Sequence, residues 1–215
     1  MLAQRDTGSP WITTTIEHEP RAFFAQLRDG TSGKCAPWDL VTVNALRWRM
    51  EAQRYEAQRA EWRYVVDPLD IALLDTYVRG GGGLLALHTA VICFDADPLW
   101  HELTGATWNW DRSLHPEVGW VRVSCLPASA EHPITAGVGP FDVHDEVYGF
   151  LDESDGLVAL LTGTHGGRDH PLLWARAVGD GRVVTDLLGH GVESLTHATH
   201  RAILRRAAAW ATGDR

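Results

Sequence analysis

The chain has 215 residues, of which 45% are hydrophobic and 22% are charged, so it can bury one sizeable core and is too short for a second domain to be expected. Its 19 Lys and Arg against 28 Asp and Glu give a formal net charge of −9, which argues against nucleic acid and anionic membranes as partners. The three cysteines lack C-x-x-C spacing, which argues against a disulfide scaffold. The sequence shows no signal peptide and no apolar segment long enough to span a bilayer, so we expect a cytoplasmic protein.

The first third of the chain predicts a short helix, a strand and a surface segment. Pro20 suits the first position of a helix that carries Phe23 and Phe24 on its apolar side. The β-branched run at 39–44 predicts a buried strand. The Arg- and Glu-rich stretch at 47–63 has no clean apolar stripe, and we interpret it as a surface excursion with some helix.

The middle of the chain predicts two capped helices on either side of a central strand. Asp67 and Asp97 each precede a proline, which is typical of an N-cap followed by the first helical residue, and Gly80 and Gly105 end the two helices. The apolar run 84–87 between them is too short for a helix and predicts a central strand of parallel type.

The second half is rich in predicted strands and closes with a helix. The strand candidates are 118–125, 143–150, 157–161, and a hairpin of 172–178 with 182–187. A final helix is predicted over 194–211. This order of elements predicts an α/β protein whose sheet is covered on both faces.

Five local patterns fall where α/β folds place their chemistry, at strand ends and in the loops that follow. They are GGLLALHT at 82–89, LHP at 114–116, HPIT at 132–135, HDEVY at 144–148, and GDGRV at 179–183 with LGHG at 188–191. In this order the set resembles the ThuA-like family, named for trehalose utilisation, over roughly 38–211. The resemblance implies a single domain over 1–215 with a flavodoxin-like three-layer sandwich and a mostly parallel sheet, as in class I glutamine amidotransferases.

The beginning of the chain departs from the family pattern. Members usually start with a strand of the type V-L-V-V-x-G-G, and this sequence shows no such strand before Trp38. We therefore expect residues 1–36 to be truncated or divergent and the N-terminal strand to be missing or degenerate. Either the true start codon lies upstream, or the protein has lost a central strand.

The residue that ends the central strand argues against amidotransferase chemistry. Amidotransferases of this fold carry a nucleophilic cysteine at the elbow after that strand, and this chain has His88 there. A histidine cannot form the thioester that glutamine hydrolysis needs. Cys93 lies further on in an apolar setting, which is expected to raise its pKa and make it inert.

Three titratable residues near predicted strand ends are the candidate catalytic set: His88, Glu146 and His190. Rearranging or cleaving a keto-sugar requires a base near the carbon acid and an electrophile or metal at the carbonyl, and these residues could divide the roles. No short metal-binding motif is present, so the cofactor stays open, with a divalent metal on these three residues as one hypothesis. A purely structural role is the alternative for each.

A second set is predicted to bind the substrate, a small carbohydrate. Its members are polar or aromatic residues in the motifs and in the tryptophan-rich loop 100–120: His115, His132, Asp145, Tyr148 and Trp110. Strand alternation predicts that Glu146 and Tyr148 lie on one side together with His144. Four further histidines that belong to no motif are predicted to be structural or to lie at the surface: His165, His170, His197 and His200.

The resemblance implies an enzyme of sugar catabolism that acts on a disaccharide or its keto form by isomerase, lyase or hydrolase chemistry. One alternative is a non-catalytic sugar-binding module that uses the loop 100–120. Another is a shortened, inactive homologue that folds poorly or only as a homo-oligomer.

Overall fold

The computed structural model describes residues 13–31, 38–95, 97–127 and 130–213, in two compact units that divide after Pro37. The first unit contains α1 (Pro20–Thr31), which begins at the predicted proline. Residues 1–12 and 32–36 of the segment predicted to be divergent lie outside the described residues. Among the described residues, no helix is long and apolar enough to cross a bilayer.

The second unit holds the sheet and the other helices. Its helices are α2 (Glu56–Trp62), α3 (Pro68–Arg79), α4 (Pro98–Thr104), α5 (Val192–Thr196) and α6 (Ala198–Ala211). Its strands are β1 (Leu40–Val43), β2 (Gly83–Leu87), β3 (Ala106–Thr107), β4 (Gly119–Cys125), β5 (Phe141–Asp145), β6 (Asp152–Glu153), β7 (Ala159–His165), β8 (Arg168–Val178) and β9 (Gly181–Asp186). The predicted caps are confirmed, because the Asp67 and Asp97 carboxylates each accept a backbone N–H two residues on, at 2.9 Å.

Seven of the described strands form one mixed sheet in the order β1-β2-β9-β8-β7-β4-β5, so the prediction of a mostly parallel sheet is wrong. Only β1, β2 and β9 are parallel, and the remaining pairs are antiparallel. The reason lies in the connections. Gly166 and Gly167 both have positive φ (59° and 73°), which a two-residue hairpin turn requires, and Gly179 with Asp180 joins β8 to β9. Connections this short cannot make a parallel crossover.

Helices cover both faces of the central strands, as predicted. Leu85 and Val184 pack in one core cluster with Ile203 of α6. On the opposite face, the Thr185 hydroxyl and the Trp174 indole both donate to the carbonyl of Thr104 at the end of α4, at 2.9 and 2.7 Å. Every residue of β2 is therefore buried, and the chain leaves the sheet only at His88, directly after the carboxyl end of the strand.

The predicted last helix is two helices. His197 interrupts it with an extended backbone (φ −57°, ψ 127°), and its ring nitrogen Nδ1 accepts the backbone N–H of His200 at 3.4 Å as the cap of α6. His200 is fully buried, so the surface alternative predicted for it is wrong.

The tryptophans of the loop 100–120 do not form one cluster. Trp100 is buried in α4 and donates to the carbonyl of Ala90 at 3.0 Å, whereas Trp120 is 79% exposed on β4. His101 also lies apart, with its Nε2 3.2 Å from the carbonyl oxygen of Asp152.

Candidate functional site

His88 follows directly after β2 in a left-handed backbone conformation (φ 49°). Such a conformation is uncommon for a residue other than glycine and concentrates at functional sites. Its ring is buried, and Nδ1 lies 2.8 Å from the carbonyl oxygen of Leu187. Because a carbonyl only accepts, Nδ1 carries a hydrogen, so in the tautomer without a second ring hydrogen the lone pair lies at Nε2.

The carboxylate of Glu146 is the centre of the site. It is 5% exposed and lies just after β5. Its Oε1 is 2.9 Å from Nδ1 of His115, and its Oε2 is 3.2 Å from Nδ1 of His190 and 3.7 Å from Nε2 of His88. Three imidazoles thus surround one buried carboxylate. The three predicted catalytic residues therefore lie together, since His88 and His190 both face Glu146.

Asp145 holds the loop that carries His190. Its carboxylate accepts the backbone N–H of Gly189 at 2.7 Å, of His190 at 3.2 Å and of Glu146 at 2.8 Å. Asp145 is completely buried, and the hydrogen bonds that the structure gives it all come from backbone N–H groups. This suits a residue that positions the loop better than one that contacts the substrate directly. The single pair Asp145-Glu146 therefore supplies both a loop anchor and the central carboxylate.

The sheet has to curl for this contact to exist. β9 and β5 are four strands apart in the sheet, which would separate them by about 19 Å in a flat sheet with its usual strand spacing. The 2.7 Å hydrogen bond from Gly189 to Asp145 shows that their ends meet. The predicted strand ends converge because the antiparallel half of the sheet bends back over the parallel half.

Tyr148 closes one side of the cluster. Its hydroxyl lies 3.1 Å from Nε2 of His88, and its ring makes edge contacts with Trp108 at 5.3 Å between centroids. Burial raises the pKa of Tyr148 well above its usual value, and the nearby negative charge of Glu146 adds to the effect. The phenol is therefore a hydrogen-bond donor throughout the physiological pH range.

A group of aromatic side chains extends from Tyr148 to the partly exposed Trp110. Trp108 lies 6.0 Å from His115 and 6.3 Å from Trp110. Trp110, which was predicted to bind substrate, is 38% exposed and stacks on Trp48 at 6.2 Å with an interplanar angle of 22°. We use "aromatic group" for Trp48, Tyr55, Trp108 and Trp110. Sequence reasoning missed Trp48 and Tyr55, because isolated aromatic residues in the polar stretch 47–63 gave no periodic signal.

Two predicted residues lie elsewhere. The ring of His132 packs 5.3 Å from Trp210 near the end of α6, and burial lowers its pKa. That end of α6 lies beside Gly83, the first residue of β2, whereas His88 comes directly after the last residue of the strand. His132 therefore lies near the opposite end of β2 from His88. The ring of His144 contacts Trp120 at 5.6 Å and does not share a side with Glu146 and Tyr148, because β5 ends at Asp145 and the strand alternation ends with it.

A second buried pair supports the same loop and was also missed. His200 Nε2 lies 3.1 Å from Asp186 Oδ2, and His200 Nδ1 lies 2.9 Å from the carbonyl of Ser194. Burial lowers the pKa of His200, but the charge of Asp186 and the hydrogen bonds outweigh it, so the net pKa is raised. Asp186 also accepts the backbone N–H of Leu188 at 3.0 Å, and this links the pair to the segment that leads to His190.

The same three predicted catalytic residues form the group that could hold a metal ion. One ligand atom from each of His88, Glu146 and His190 lies within 4.8 Å of the other two. Glu146 and His88 are buried, whereas the His190 side chain is 45% exposed, so the group is open on one side.

The fold and the cluster define an α/β protein with a histidine–carboxylate site at the ends of its central strands. The chain belongs to the ThuA family, described as trehalose utilisation, whose pattern matches residues 55–211. The match spans α2 to α6 and so includes the whole cluster.

Solved structures support the fold. A ThuA-like protein from Parabacteroides merdae is 17% identical with a TM-score of 0.67, over 84% of this chain and 72% of that one. A ThuA-like protein from Bacteroides uniformis is 16% identical with a TM-score of 0.60, over 89% and 82%. A cytoplasmic protein from Salmonella typhimurium is 14% identical with a TM-score of 0.52, over 98% and 91%. No curated protein matches the chain.

Proposed function

We propose that this protein is an enzyme of carbohydrate utilisation that acts on a disaccharide or its keto form through His88, Glu146 and His190. The observation that carries the proposal is the buried Glu146 carboxylate, with its two oxygens in contact with His115 and His190 and near His88. The family description, trehalose utilisation, supports the substrate class.

The arrangement suits proton transfer next to a carbonyl group. Glu146 is the base that removes the proton from the carbon beside the substrate carbonyl. His115 and His190 contact the two oxygens of Glu146 and are both half-exposed, so they can pass that proton on to solvent or to a leaving oxygen. Tyr148, whose raised pKa keeps its hydrogen in place, can donate a hydrogen bond to an oxygen that gains negative charge.

The aromatic group supplies a surface for the sugar. Carbohydrate rings have apolar faces, and clefts that bind small ligands combine aromatic walls with a few polar groups. Trp108 joins this group to Tyr148 and His115, so a sugar stacked on Trp110 would extend towards Glu146. A disaccharide could then place one ring at the cluster and the other on the aromatic group.

The test is turnover of oxidised disaccharides. The full chain is incubated with keto-disaccharides, with and without added Zn²⁺ or Mn²⁺, and products are followed by NMR in deuterated water. We expect product formation and deuterium exchange beside the carbonyl, and Glu146→Gln should lower the rate by about 10²- to 10⁴-fold. His132→Ala, near the opposite end of β2 from His88, should leave the rate unchanged. Unchanged substrate under all conditions would contradict the proposal.

A non-catalytic sugar-binding protein is the second candidate, and the exposed part of Trp110 favours it. It predicts saturable sugar binding in calorimetry, weakened by Trp110→Ala, without any turnover. Turnover by the wild type separates the two candidates: an enzyme converts the sugar it binds, and Glu146→Gln should then keep the binding and lose the conversion, whereas a binding protein converts nothing in either form.

A further inference from the structure

We propose that His88, Glu146 and His190 bind one divalent transition-metal ion, with Zn²⁺ as the preferred metal, and leave a coordination position open towards the cleft. The site would polarise the carbonyl of a keto-sugar, and in this respect the inference rests on the proposed function. Metal binding itself depends only on the three side chains and can be tested without any substrate.

The distances between the side chains are those of a metal site. Zinc binds imidazole nitrogen and carboxylate oxygen at about 2.0–2.2 Å in tetrahedral geometry, so neighbouring ligand atoms lie about 3.3–3.5 Å apart. Oε2 of Glu146 lies 3.2 Å from His190 Nδ1 and 3.7 Å from His88 Nε2. Oε2 of Glu146 is therefore close to ligand spacing from each histidine, and the ligand nitrogens of the two histidines lie within 4.8 Å of each other.

The surroundings of His88 prepare it as a ligand. Its Nδ1–H donates to the Leu187 carbonyl, and this fixes the ring and directs the Nε2 lone pair towards Glu146. Metal-bound histidines commonly donate their other ring hydrogen to a carbonyl or carboxylate in this way. The 3.7 Å between Nε2 and Oε2 is too long for a hydrogen bond, so these two atoms face each other without being bonded.

The other members of the cluster have supporting positions. His115 faces the opposite oxygen, Oε1, and the carbonyl of Pro116, so its Nδ1 orients the carboxylate and is directed away from the proposed ion. Asp145 fixes the backbone of His190 through two hydrogen bonds to the loop. The Tyr148 hydroxyl, now beside Nε2 of His88, can keep a hydrogen bond with Glu146 when the metal takes the lone pair.

The ligand types select the metal and its use. Two imidazoles and one carboxylate suit Zn²⁺ and similar transition metals, whereas Mg²⁺ and Ca²⁺ prefer sites made of oxygen. Catalytic zinc sites use three protein ligands and keep the fourth position for water or substrate. The half-exposed His190 marks the open side, so a substrate oxygen can approach from there.

The test uses the full chain after removal of metals with a chelator. Co²⁺ is titrated in and followed by its visible absorption, which is intense for tetrahedral sites, and Zn²⁺ affinity is measured by competition. We expect one ion per chain. His190→Ala, His88→Ala and Glu146→Gln should each weaken binding about 100-fold or more. His115→Ala and His132→Ala are controls that should keep the stoichiometry. His190 is half-exposed, so its variant is the one least expected to disturb folding, and circular dichroism checks this.

The outcomes separate the metal site from the proposed function. Equal Co²⁺ binding by wild type and His190→Ala, or no binding by the wild type, overturns the metal site. If the metal-free protein converts keto-disaccharides at the full rate, the enzyme proposal stands and the metal has no part in it. Tight binding of one ion without conversion of any keto-disaccharide supports the site and contradicts the proposed function.

Discussion

Replacing Asp145 with asparagine tests how the cluster is held together, because the two side chains have nearly the same shape. The carboxylate accepts three backbone N–H groups, two at Oδ1 and one at Oδ2. An asparagine can keep its carbonyl oxygen at one of these positions only. Its amide nitrogen would then face a backbone donor, most favourably Gly189 N, where a single hydrogen bond is lost.

The expected loss of stability follows from these bonds. A hydrogen bond to a charged group contributes about 1.5–3 kcal/mol, against about 1 kcal/mol for a neutral one. Losing one charged bond and neutralising two others sums to about 2.5–7 kcal/mol, and relief from burying a charge offsets part of this loss. We expect Asp145→Asn to lower the free energy of unfolding by about 3 kcal/mol in urea denaturation.

Asp142→Asn on the same strand is the matched control. Asp142 is exposed and pairs only with Arg122 in the contacts that the structure gives it, at 2.9 Å, so its variant should change stability by less than about 0.5 kcal/mol. A loss below about 1 kcal/mol for Asp145→Asn, or equal losses for both variants, would refute the reasoning that Asp145 anchors the loop of His190.

Three further predictions concern other buried positions. Because the pKa of His200 is raised in the fold, the stabilisation that it contributes is complete below its unfolded pKa of about 6.5 and is lost as the pH rises through the higher folded pKa. The stability difference between wild type and His200→Gln should therefore shrink in denaturation curves as the pH is raised above about 6.5. Gly181→Ala should lower the free energy of unfolding by about 3 kcal/mol or more, because a Cβ there would lie 1.9 Å from the Val78 carbonyl oxygen. Its control is Gly139→Ala, whose Cβ would have no neighbouring atom within 4 Å, so this variant should leave the stability in denaturation curves unchanged. Burial raises the pKa of Cys93 to about 12, so mass spectrometry should find it unlabelled by thiol reagents in the native protein at neutral pH and labelled after unfolding.

Local signals in the sequence were sufficient for most individual elements. The Asp-Pro pairs and their closing glycines predicted the bounds of α3 and α4 closely, because N-caps and glycine stops are determined within a few residues. The apolar run of β2 was too short for a helix, and the prediction of a central strand of parallel type is confirmed, since β2 lies between β1 and β9 and is parallel to both. The family pattern 55–211 lies within the range 38–211 expected from the motifs.

The arrangement of the sheet could not be predicted in the same way. The resemblance implied parallel strands, whereas the Gly166-Gly167 turn and the hairpin at Gly179 impose antiparallel pairing from β7 to β9. The curl that brings β5 back to β9 depends on side chains far apart in the sequence. The prediction for His200 stayed open between a structural and a surface position for a related reason: its partner Asp186 is 14 residues away, on a strand, and helix periodicity carries no information about that pair.

The three strand ends at the site are connected to one another mainly through the segment that follows β9. His88, after β2, donates to the Leu187 carbonyl; Asp145, at the end of β5, accepts from Gly189; and Asp186, at the end of β9, accepts from Leu188 while it holds His200. The bonds at Leu187, Leu188 and Gly189 each join a side chain from elsewhere to the backbone of the segment, so none of them requires a particular side chain at those three positions. His190 is therefore placed in part by Asp145 and Asp186, which hold the segment without having to touch a substrate. It follows that a change at Asp145 or Asp186 should alter the geometry of His190 as well as stability, whereas a change at His190 itself should leave the segment in place.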